Sequence, residues 1–357
     1  MEFGINFFPS HSDAVKPYAQ YWRECMKLVE VGDALGYHHA RTVEHYFLDY
    51  GGTSPNPIVF LTGCAQHSKR MKLVTGAVLP VFNHPLKLAG ELAMLDGASN
   101  GRLEIGFARA FLPHEFATFG ISPDESRARF EEGQRQVLLL LSQEKASSQG
   151  RFHSFKDITS LPRPTQRPHP PVYVATFTTK ESFTYAGKNG YGVMSIPIAG
   201  PIMNELLGEY REAWRQAGHK GNGKIMIAHH MYCAPTAEQA IADSRDALNG
   251  YVHELYNAAS AWVTGASSRD YPGYEKAIAA LKNDNFDNLR ARSLAWCGTP
   301  EEICDMIRTC YAPIKEGVEI ASCQVNFHNI ALDKAEASMR LFAEKVMPKF
   351  KGAKTAA

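Results

Sequence analysis

Residues 3–8 are Phe3-Gly4-Ile5-Asn6-Phe7-Phe8, a short apolar run that predicts a buried β-strand. Three similar runs follow at 37–43, 71–78 and 102–107, and each carries or precedes polar residues or glycine. In a parallel α/β barrel the functional groups lie where strands end and loops begin. We therefore expect six residues that are distant in sequence to share one pocket: Asn6, Glu44, His45, Thr75, Gly76 and Arg109.

The alternation of strand and helix continues along the rest of the chain. Further strands are predicted at 172–176, 191–196, 225–232 and 319–325. Helices are predicted at 18–35, from 57, at 85–95, 126–141, 180–188, 202–216, 237–258, 300–315 and 333–346. Eight strands, each followed by a helix, are typical of a (β/α)8 TIM barrel. The main alternative is a doubly wound open sheet, which the lack of a glycine-rich turn after the first strand disfavours.

Two stretches interrupt this pattern, and we interpret both as insertions in a single domain that spans 1–357. The first, at about 145–170, is rich in serine and proline. The second, at about 260–296, is polar and contains Tyr271, Tyr274, Arg290 and Arg292. It is placed to act as a lid over the barrel mouth; a solvated loop is the alternative interpretation.

The composition disfavours several classes of function. With 38 basic and 37 acidic residues, the net charge is +1, which gives no indication of a nucleic-acid or membrane partner. No apolar run is long enough to span a membrane, and the chain enters its first strand without a leader segment, so we expect a cytoplasmic protein. The seven cysteines form no CxxC pair and are expected to be reduced. The adjacent histidines at 38–39 and 229–230 face opposite sides of a strand, so no metal site is expected.

Glu44 and His45 are the main candidates for catalysis. A carboxylate beside an imidazole at a strand end suits proton transfer, because histidine titrates near neutral pH. A histidine that is merely hydrogen-bonded at the barrel rim is the alternative. The sequence contains no GxGxxG, GxxxxGK[ST], HExxH or GxSxG motif, which disfavours Rossmann-type nucleotide binding and zinc proteolysis.

Two further groups of residues are suited to binding a phosphate. Arg109 follows a strand and Arg127 opens the next helix, so their guanidinium groups could clamp an anion; a solvated helix face is the alternative for Arg127. Hydroxyl groups cluster at another strand-to-helix turn, where simple N-capping is the alternative to an anion site: Thr176, Thr178, Thr179 and Ser182. Together these features suggest a phosphorylated cofactor.

A set of short motifs, weak one by one but specific in their order and spacing, runs through nearly the whole chain. They are Val43-Glu44-His45-Tyr46-Phe47, Thr75-Gly76-Ala77-Val78-Leu79-Pro80 with His84-Pro85, Leu95-Asp96 with Gly101-Arg102, Gly106-Phe107-Ala108-Arg109, Phe119-Gly120, Ser126-Arg127, Pro171-Val172-Tyr173-Val174-Ala175, Cys297-Gly298-Thr299-Pro300-Glu301-Glu302 and Met347-Pro348. In these motifs the chain resembles the bacterial luciferase-like flavin-dependent monooxygenases.

The resemblance implies a TIM barrel that binds reduced FMN, supplied by a separate flavin reductase, and uses O2 through a 4a-(hydro)peroxyflavin. It implies a homodimer and an aldehyde, ketone or aromatic substrate. Glu44 would contact the flavin region and His45 would be the catalytic acid/base. The remaining matched positions would bind the cofactor: Gly76 and Ala77 at a non-proline cis peptide beside the flavin ring, and Arg109, Arg127, Thr176, Thr178 and Ser182 around its phosphate.

The chain also departs from the luciferase pattern. Tyr46 stands where luciferase has a second histidine, Ala108 replaces a cysteine, and Thr176-Phe177-Thr178 replaces a Glu-Ser pair with an uncertain register. These differences favour another substrate over light emission. Two other functions stay open: a deazaflavin-dependent hydride-transfer oxidoreductase on the same barrel, and a non-catalytic flavin-binding relative.

Overall fold

A computed structural model describes residues 1–198 and 200–351. Its strands are β1 (Glu2–Phe7), β2 (His39–Thr42), β3 (Lys72–Thr75), β4 (Leu103–Phe107), β5 (Ala146–Ser148), β6 (Phe155–Ile158), β7 (Val172–Thr176), β8 (Gly192–Ser195), β9 (Ile225–Cys233), β10 (Ala295–Gly298) and β11 (Ile320–Gln324). Eight of them form a closed parallel ring in the order β1-β2-β3-β4-β7-β8-β9-β11. The predicted (β/α)8 barrel is confirmed, and the open-sheet alternative is wrong because β9 pairs with both β8 and β11.

Nine of the helices in the described ranges correspond to predicted ones, and four were not predicted. The helices are α1 (Tyr18–Leu35), α2 (Pro57–His67), α3 (Pro85–Ala98), α4 (Pro113–Phe119), α5 (Ser126–Ser142), α6 (Lys180–Lys188), α7 (Gly200–Gln216), α8 (Ala237–Ala259), α9 (Ala261–Thr264), α10 (Tyr274–Leu281), α11 (Phe286–Ala291), α12 (Pro300–Tyr311) and α13 (Leu332–Lys345), with 3-10 turns at Pro123–Glu125 and Met347–Lys349. Those that were not predicted are α4, α9, α10 and α11.

Local sequence explains where these helices begin and end. The Asn56 side chain accepts from the N–H groups of Ile58 and Val59, which caps α2. Gly36 ends α1 in the left-handed region with φ 81°. The prediction that the helix from 300 extends to 315 is wrong: α12 ends at Tyr311, two residues before Pro313, which has no N–H group to continue the helical hydrogen bonds.

The two predicted insertions are more ordered than the sequence indicated. Within 145–170, strands β5 and β6 form an antiparallel ribbon. The Glu132 carboxylate of α5 holds the turn of this ribbon by accepting from three N–H groups: those of Arg151, Phe152 and His153. The expectation of an irregular segment over 260–296 is wrong, because it contains α9, α10 and α11 and ends in β10, which pairs with the outer end of β9.

Two findings concern the described ranges 1–198 and 200–351 as a whole. No helix there has the length and apolar character needed to cross a membrane. No group of three or more His, Cys, Asp or Glu side chains is arranged there to hold a metal ion.

Candidate active site

A cavity of about 170 Å³ opens where the barrel strands end. Since roughly 10–15 Å³ of such space holds one water, it has room for on the order of ten water molecules. Every barrel strand, or the residues directly after it, contributes at least one lining residue: Asn6, Val43, Gly76, Ala108, Thr176, Ile196, Ala228 and Gln324. This is the end of the barrel at which the chemistry of the fold is found.

Most of the predicted site residues line this cavity. They are Asn6, Glu44, His45, Gly76, Ala77, Arg109, Thr176 and Ser182. Arg127 and Thr178 are not among the lining residues, whereas Thr179 is.

The expectation that Thr75 shares the pocket is wrong. Thr75 is fully buried in the barrel wall, where its Oγ1 donates to the Gly106 carbonyl at 2.9 Å and accepts from the Gly106 N–H at 2.8 Å. The ladder between β3 and β4 pairs only two residues of each strand. The hydroxyl group therefore satisfies main-chain groups next to a short ladder and does not reach the cavity.

Glu44 is a buried carboxyl group with three donors. Its Oε1 accepts from the Tyr46 hydroxyl at 2.6 Å and from Asn83 Nδ2 at 2.8 Å, and its Oε2 accepts from the Leu79 N–H at 3.0 Å. Burial nevertheless raises the pKa of the Glu44 carboxyl from 4.5 to about 7, because desolvation outweighs these hydrogen bonds. Tyr46, the departure from the luciferase pattern, thus acts directly on the predicted catalytic pair.

His45 is held by a residue that the sequence analysis missed. Its Nδ1 lies 3.0 Å from Oε1 of Glu115 in α4, and the same oxygen accepts from the Tyr46 N–H at 2.9 Å. The rings of Phe8, Tyr50 and Phe111 pack around the imidazole, with centroids 5.6–5.8 Å away. A lone acidic residue in a short helix gives little sequence signal, because only the fold brings it to His45.

Asp270 lies at the groups predicted to bind phosphate. Its main-chain oxygen accepts from Arg109 Nη1 at 2.9 Å, and its Oδ2 accepts from the Arg127 N–H at 3.0 Å and from the Ser126 hydroxyl at 3.4 Å. The Arg109 guanidinium also lies over the Tyr271 ring, 4.8 Å from its centroid. An acidic side chain at the start of α5 is favourable, because free N–H groups there attract negative charge.

The hydroxyl cluster at the start of α6 has divided roles. Thr176 Oγ1 donates to the Met194 carbonyl at 3.3 Å, so this hydroxyl is engaged in the barrel wall. Thr179 Oγ1 is buried and has no hydrogen-bond partner within the described ranges. No side-chain cap is present at this helix, so the N-capping alternative for Thr179 is wrong. The hydroxyl group of Thr179 is thus available to a ligand.

Only some of the residues predicted to form a lid over the barrel mouth line the cavity. Tyr274 lines the cavity, together with Ile278 and Leu281 of the same helix. Arg290 instead pairs with Glu302 at 2.6 Å and Arg292 pairs with Asp284 at 2.6 Å, and neither arginine lines the cavity. The segment therefore covers the cavity with apolar and aromatic groups, and the expectation that its arginines contribute is wrong.

Gly76 and Ala77 are joined by a cis peptide bond, as the resemblance implies. The Gly76 carbonyl accepts from Arg41 Nη2 at 3.1 Å. A Cβ atom at position 76 would collide with the Arg41 side chain. Glycine is therefore required here by the close packing of the arginine beneath the main chain.

A family model described as luciferase-like monooxygenase matches residues 1–314. The chain belongs to this family. It is accordingly an oxidoreductase of the flavin-dependent monooxygenase class, which confirms the resemblance stated from the motifs.

Three proteins are similar to this luciferase-like chain over nearly its whole length. It is 28% identical over 346 residues to the oxygenase component of the flavin-dependent trigonelline monooxygenase of Acinetobacter baylyi, covering 94% of this chain and 91% of the relative. The crystal structure of monooxygenase RslO1 from Streptomyces bottropensis is 40% identical, with a TM-score of 0.86 over 98% of this chain and 100% of that one. The oxygenating constituent of 3,6-diketocamphane monooxygenase from Pseudomonas putida, in complex with FMN, is 19% identical with a TM-score of 0.80 over 98% of each chain and shares the fold.

Proposed function

We propose that this luciferase-like monooxygenase is the oxygenase component of a two-component system. It takes reduced FMN from a separate flavin reductase and uses O2 to oxygenate an aldehyde, ketone or aromatic substrate. The observation that carries the proposal is the His45 imidazole, held from behind by Glu115, in the wall of a largely apolar and aromatic cavity at the barrel mouth. The trigonelline relative is itself named as an oxygenase component, which supports the reductase partner. The homodimer implied by the resemblance stays a prediction.

The residues of the cavity fit a flavin. Four buried polar side chains that line it carry atoms without a hydrogen-bond partner in the described part of the chain: Asn6 Oδ1, Arg41 Nε and Nη1, Thr179 Oγ1 and Gln324 Oε1. An isoalloxazine ring presents donors and acceptors along one edge and an apolar surface on its faces. Buried polar atoms in proteins are nearly always paired, so these atoms are well suited to such a ligand.

His45, Glu115 and Glu44 each have a defined role in this proposal. When bound, the reduced flavin supplies the two electrons that activate O2. Glu115 holds Nδ1 of His45, which leaves Nε2 of the imidazole to hold or move a proton in the cavity. Glu44, buried beside it, orients Leu79 and Tyr46 around the flavin region.

The wall of the cavity excludes water from the reacting groups. Phe8, Phe111 and Phe177 line it, as do the apolar residues of α10. Exclusion of water limits the side reaction that would release hydrogen peroxide. The same apolar wall favours a neutral organic substrate.

The phosphate of FMN is assigned to Arg109, Thr179 and Ser182, which line the cavity together. Arg127 and Thr178 do not line the cavity, and the Asp270 carboxylate already accepts from the Arg127 N–H at the start of α5. This assignment replaces the predicted Thr178 hydroxyl with that of Thr179.

An anaerobic titration followed by oxygen tests the proposal. The protein is titrated with reduced FMN and, in parallel, with reduced F420, and the complexes are then mixed with O2 while flavin oxidation and peroxide release are measured. We expect tight binding of reduced FMN and slow peroxide release from the complex. Preference for F420 would instead support the deazaflavin alternative. Substrate oxygenation that is unchanged in His45→Ala, with a reductase supplied, would support the non-catalytic role of this histidine.

A further inference from the structure

Arg41 is a buried cation in the wall of the cavity. It lies in β2 with 6% of its surface exposed, and its side chain lines the cavity. Its Nη2 donates to the Gly76 carbonyl at 3.1 Å. Its Nε and Nη1 are buried and have no hydrogen-bond partner among residues 1–198 and 200–351. Two of its donor groups are therefore free.

The charge of Arg41 is also uncompensated. Across the described residues no carboxylate oxygen lies within 4.0 Å of its guanidinium nitrogens. Three polar residues that line the cavity with it are neutral: Asn6, Tyr251 and Gln324. The Glu44 carboxyl also lines the cavity, but its oxygens accept from other groups. Burial lowers the pKa of Arg41 to about 10, so it stays protonated at neutral pH. An isolated buried charge is costly unless something pairs with it, which indicates an anionic ligand.

The position of Arg41 favours contact with the flavin ring over contact with the phosphate. The guanidinium is hydrogen-bonded to Gly76, and Gly76 with Ala77 is the pair that the resemblance places beside the flavin ring. A reduced flavin that loses its N1 proton carries negative charge over N1 and the neighbouring C2 carbonyl. Oxidised flavin is neutral at this edge. A cation with two free donors would therefore distinguish the two redox states.

We propose that Arg41 is the counter-ion of the reduced flavin in its anionic form, so that the enzyme selects reduced over oxidised FMN through this residue. The inference rests on the proposed function, because it requires FMN in the cavity. A guanidinium placed for an anionic organic substrate is the competing explanation. Arg41 is bonded to the main chain at the ring-binding position, which favours the flavin.

Binding measurements on both redox states separate these explanations. Dissociation constants for reduced FMN, measured anaerobically, and for oxidised FMN are compared in the wild type, Arg41→Met, Arg41→Lys and the surface control Arg292→Met. Loss of a charge-assisted hydrogen bond predicts that Arg41→Met weakens binding of reduced FMN about tenfold or more. Binding of oxidised FMN should change by less than about threefold, Arg41→Lys should recover most of the preference, and the control should match the wild type.

The stability of the ligand-free variants gives a second, independent readout. Replacing an unpaired buried charge with Met should leave the melting temperature unchanged or raise it. If Arg41 instead had a purely structural role, the same substitution would lower the melting temperature. Equal weakening of both redox states, or of neither, overturns the role of Arg41 while leaving FMN binding by the wild type intact. If the wild type binds neither form of FMN, the proposed function fails and this inference fails with it. Should Arg41→Met not fold, the same comparison is made with Arg41→Gln, which keeps a hydrogen-bond donor without the charge and must lose the preference for reduced FMN.

Discussion

Nδ1 of His45 lies 3.0 Å from Oε1 of Glu115, a carboxyl group that is fully shielded from solvent. Oε1 also accepts from the Tyr46 N–H, so the carboxylate receives two donors from the same turn of chain. This arrangement favours the imidazole tautomer with the proton on Nδ1 and leaves Nε2 toward the cavity. Two parts of the sequence separated by 70 residues thus form one hydrogen-bonded unit.

Glu115→Gln tests this unit directly. The amide keeps the shape of the side chain but removes the negative charge that favours the Nδ1 proton and stabilises a charged imidazole. We expect the rate of substrate oxygenation to fall about tenfold or more, with affinity for reduced FMN within about threefold of the wild type. Glu125→Gln, a surface carboxylate paired with arginines, serves as the control and should retain full activity. Equal rates in the two variants would show that Glu115 does not position His45.

Glu44→Gln tests the effect of burial on the Glu44 carboxyl. Its pKa is raised from 4.5 to about 7 in the folded protein, so folding favours the protonated form. The resulting stabilisation is fully present below about pH 4.5 and is lost as the pH rises through about 7. The wild-type free energy of unfolding should therefore fall by about 3 kcal/mol more than that of the variant over this range. Urea unfolding at several pH values measures the difference; a constant offset between the two proteins would contradict the expectation.

Asp270→Ala tests whether Asp270 competes with the phosphate. Its carboxylate accepts hydrogen bonds from the Arg127 N–H and the Ser126 hydroxyl, both at the start of α5. Removing this negative charge should strengthen binding of reduced FMN by a few-fold to about tenfold. Asp287→Ala, in the same segment but paired with Arg245 at the surface, is the matched control. Titration calorimetry under anaerobic conditions measures both, and weaker binding by Asp270→Ala would mean that the aspartate supports the site.

Thr75→Val tests the structural role of the Thr75 hydroxyl. The variant leaves the buried Gly106 N–H without its partner, which should cost about 1–3 kcal/mol of unfolding free energy. Thr118→Val, which loses only an exposed bond within α4, should change stability by less than about 0.5 kcal/mol. Chemical denaturation compares the two variants. Reduced FMN affinity that falls without a loss of stability would place Thr75 in the binding site instead.

The barrel could be predicted from the sequence because the signals for its strands and helices are local. Apolar runs of strand length and helix signals such as Asn56-Pro57 act within a few residues, and the bounds of α1 and α6 agree with the prediction at both ends. Strand β10 was missed because its four residues lie at the end of a polar stretch. It is stabilised by pairing with β9, a contact with no local signal.

The candidate site was only half predictable for the same reason. Strand-end position places Glu44, His45 and Arg109 in one cavity without knowledge of the structure. Glu115, Asp270 and Arg41 matter through partners far along the chain or through the lack of a partner. Such pairings arise from tertiary packing, which neither periodicity nor motif spacing encodes.

The segment that covers the cavity carries its own optical reporter. The Trp262 indole N–H donates to the Phe111 carbonyl at 2.7 Å, and its ring centroid lies 5.0 Å from that of Tyr271. The other tryptophans lie away from this contact, in α1, α7 and β10: Trp22, Trp214 and Trp296. Flavin absorbs where indole emits, so a flavin bound in the cavity would shorten the fluorescence lifetime of Trp262 according to its distance from this segment. Any movement of the segment on flavin binding would therefore be measurable in solution without attaching a dye.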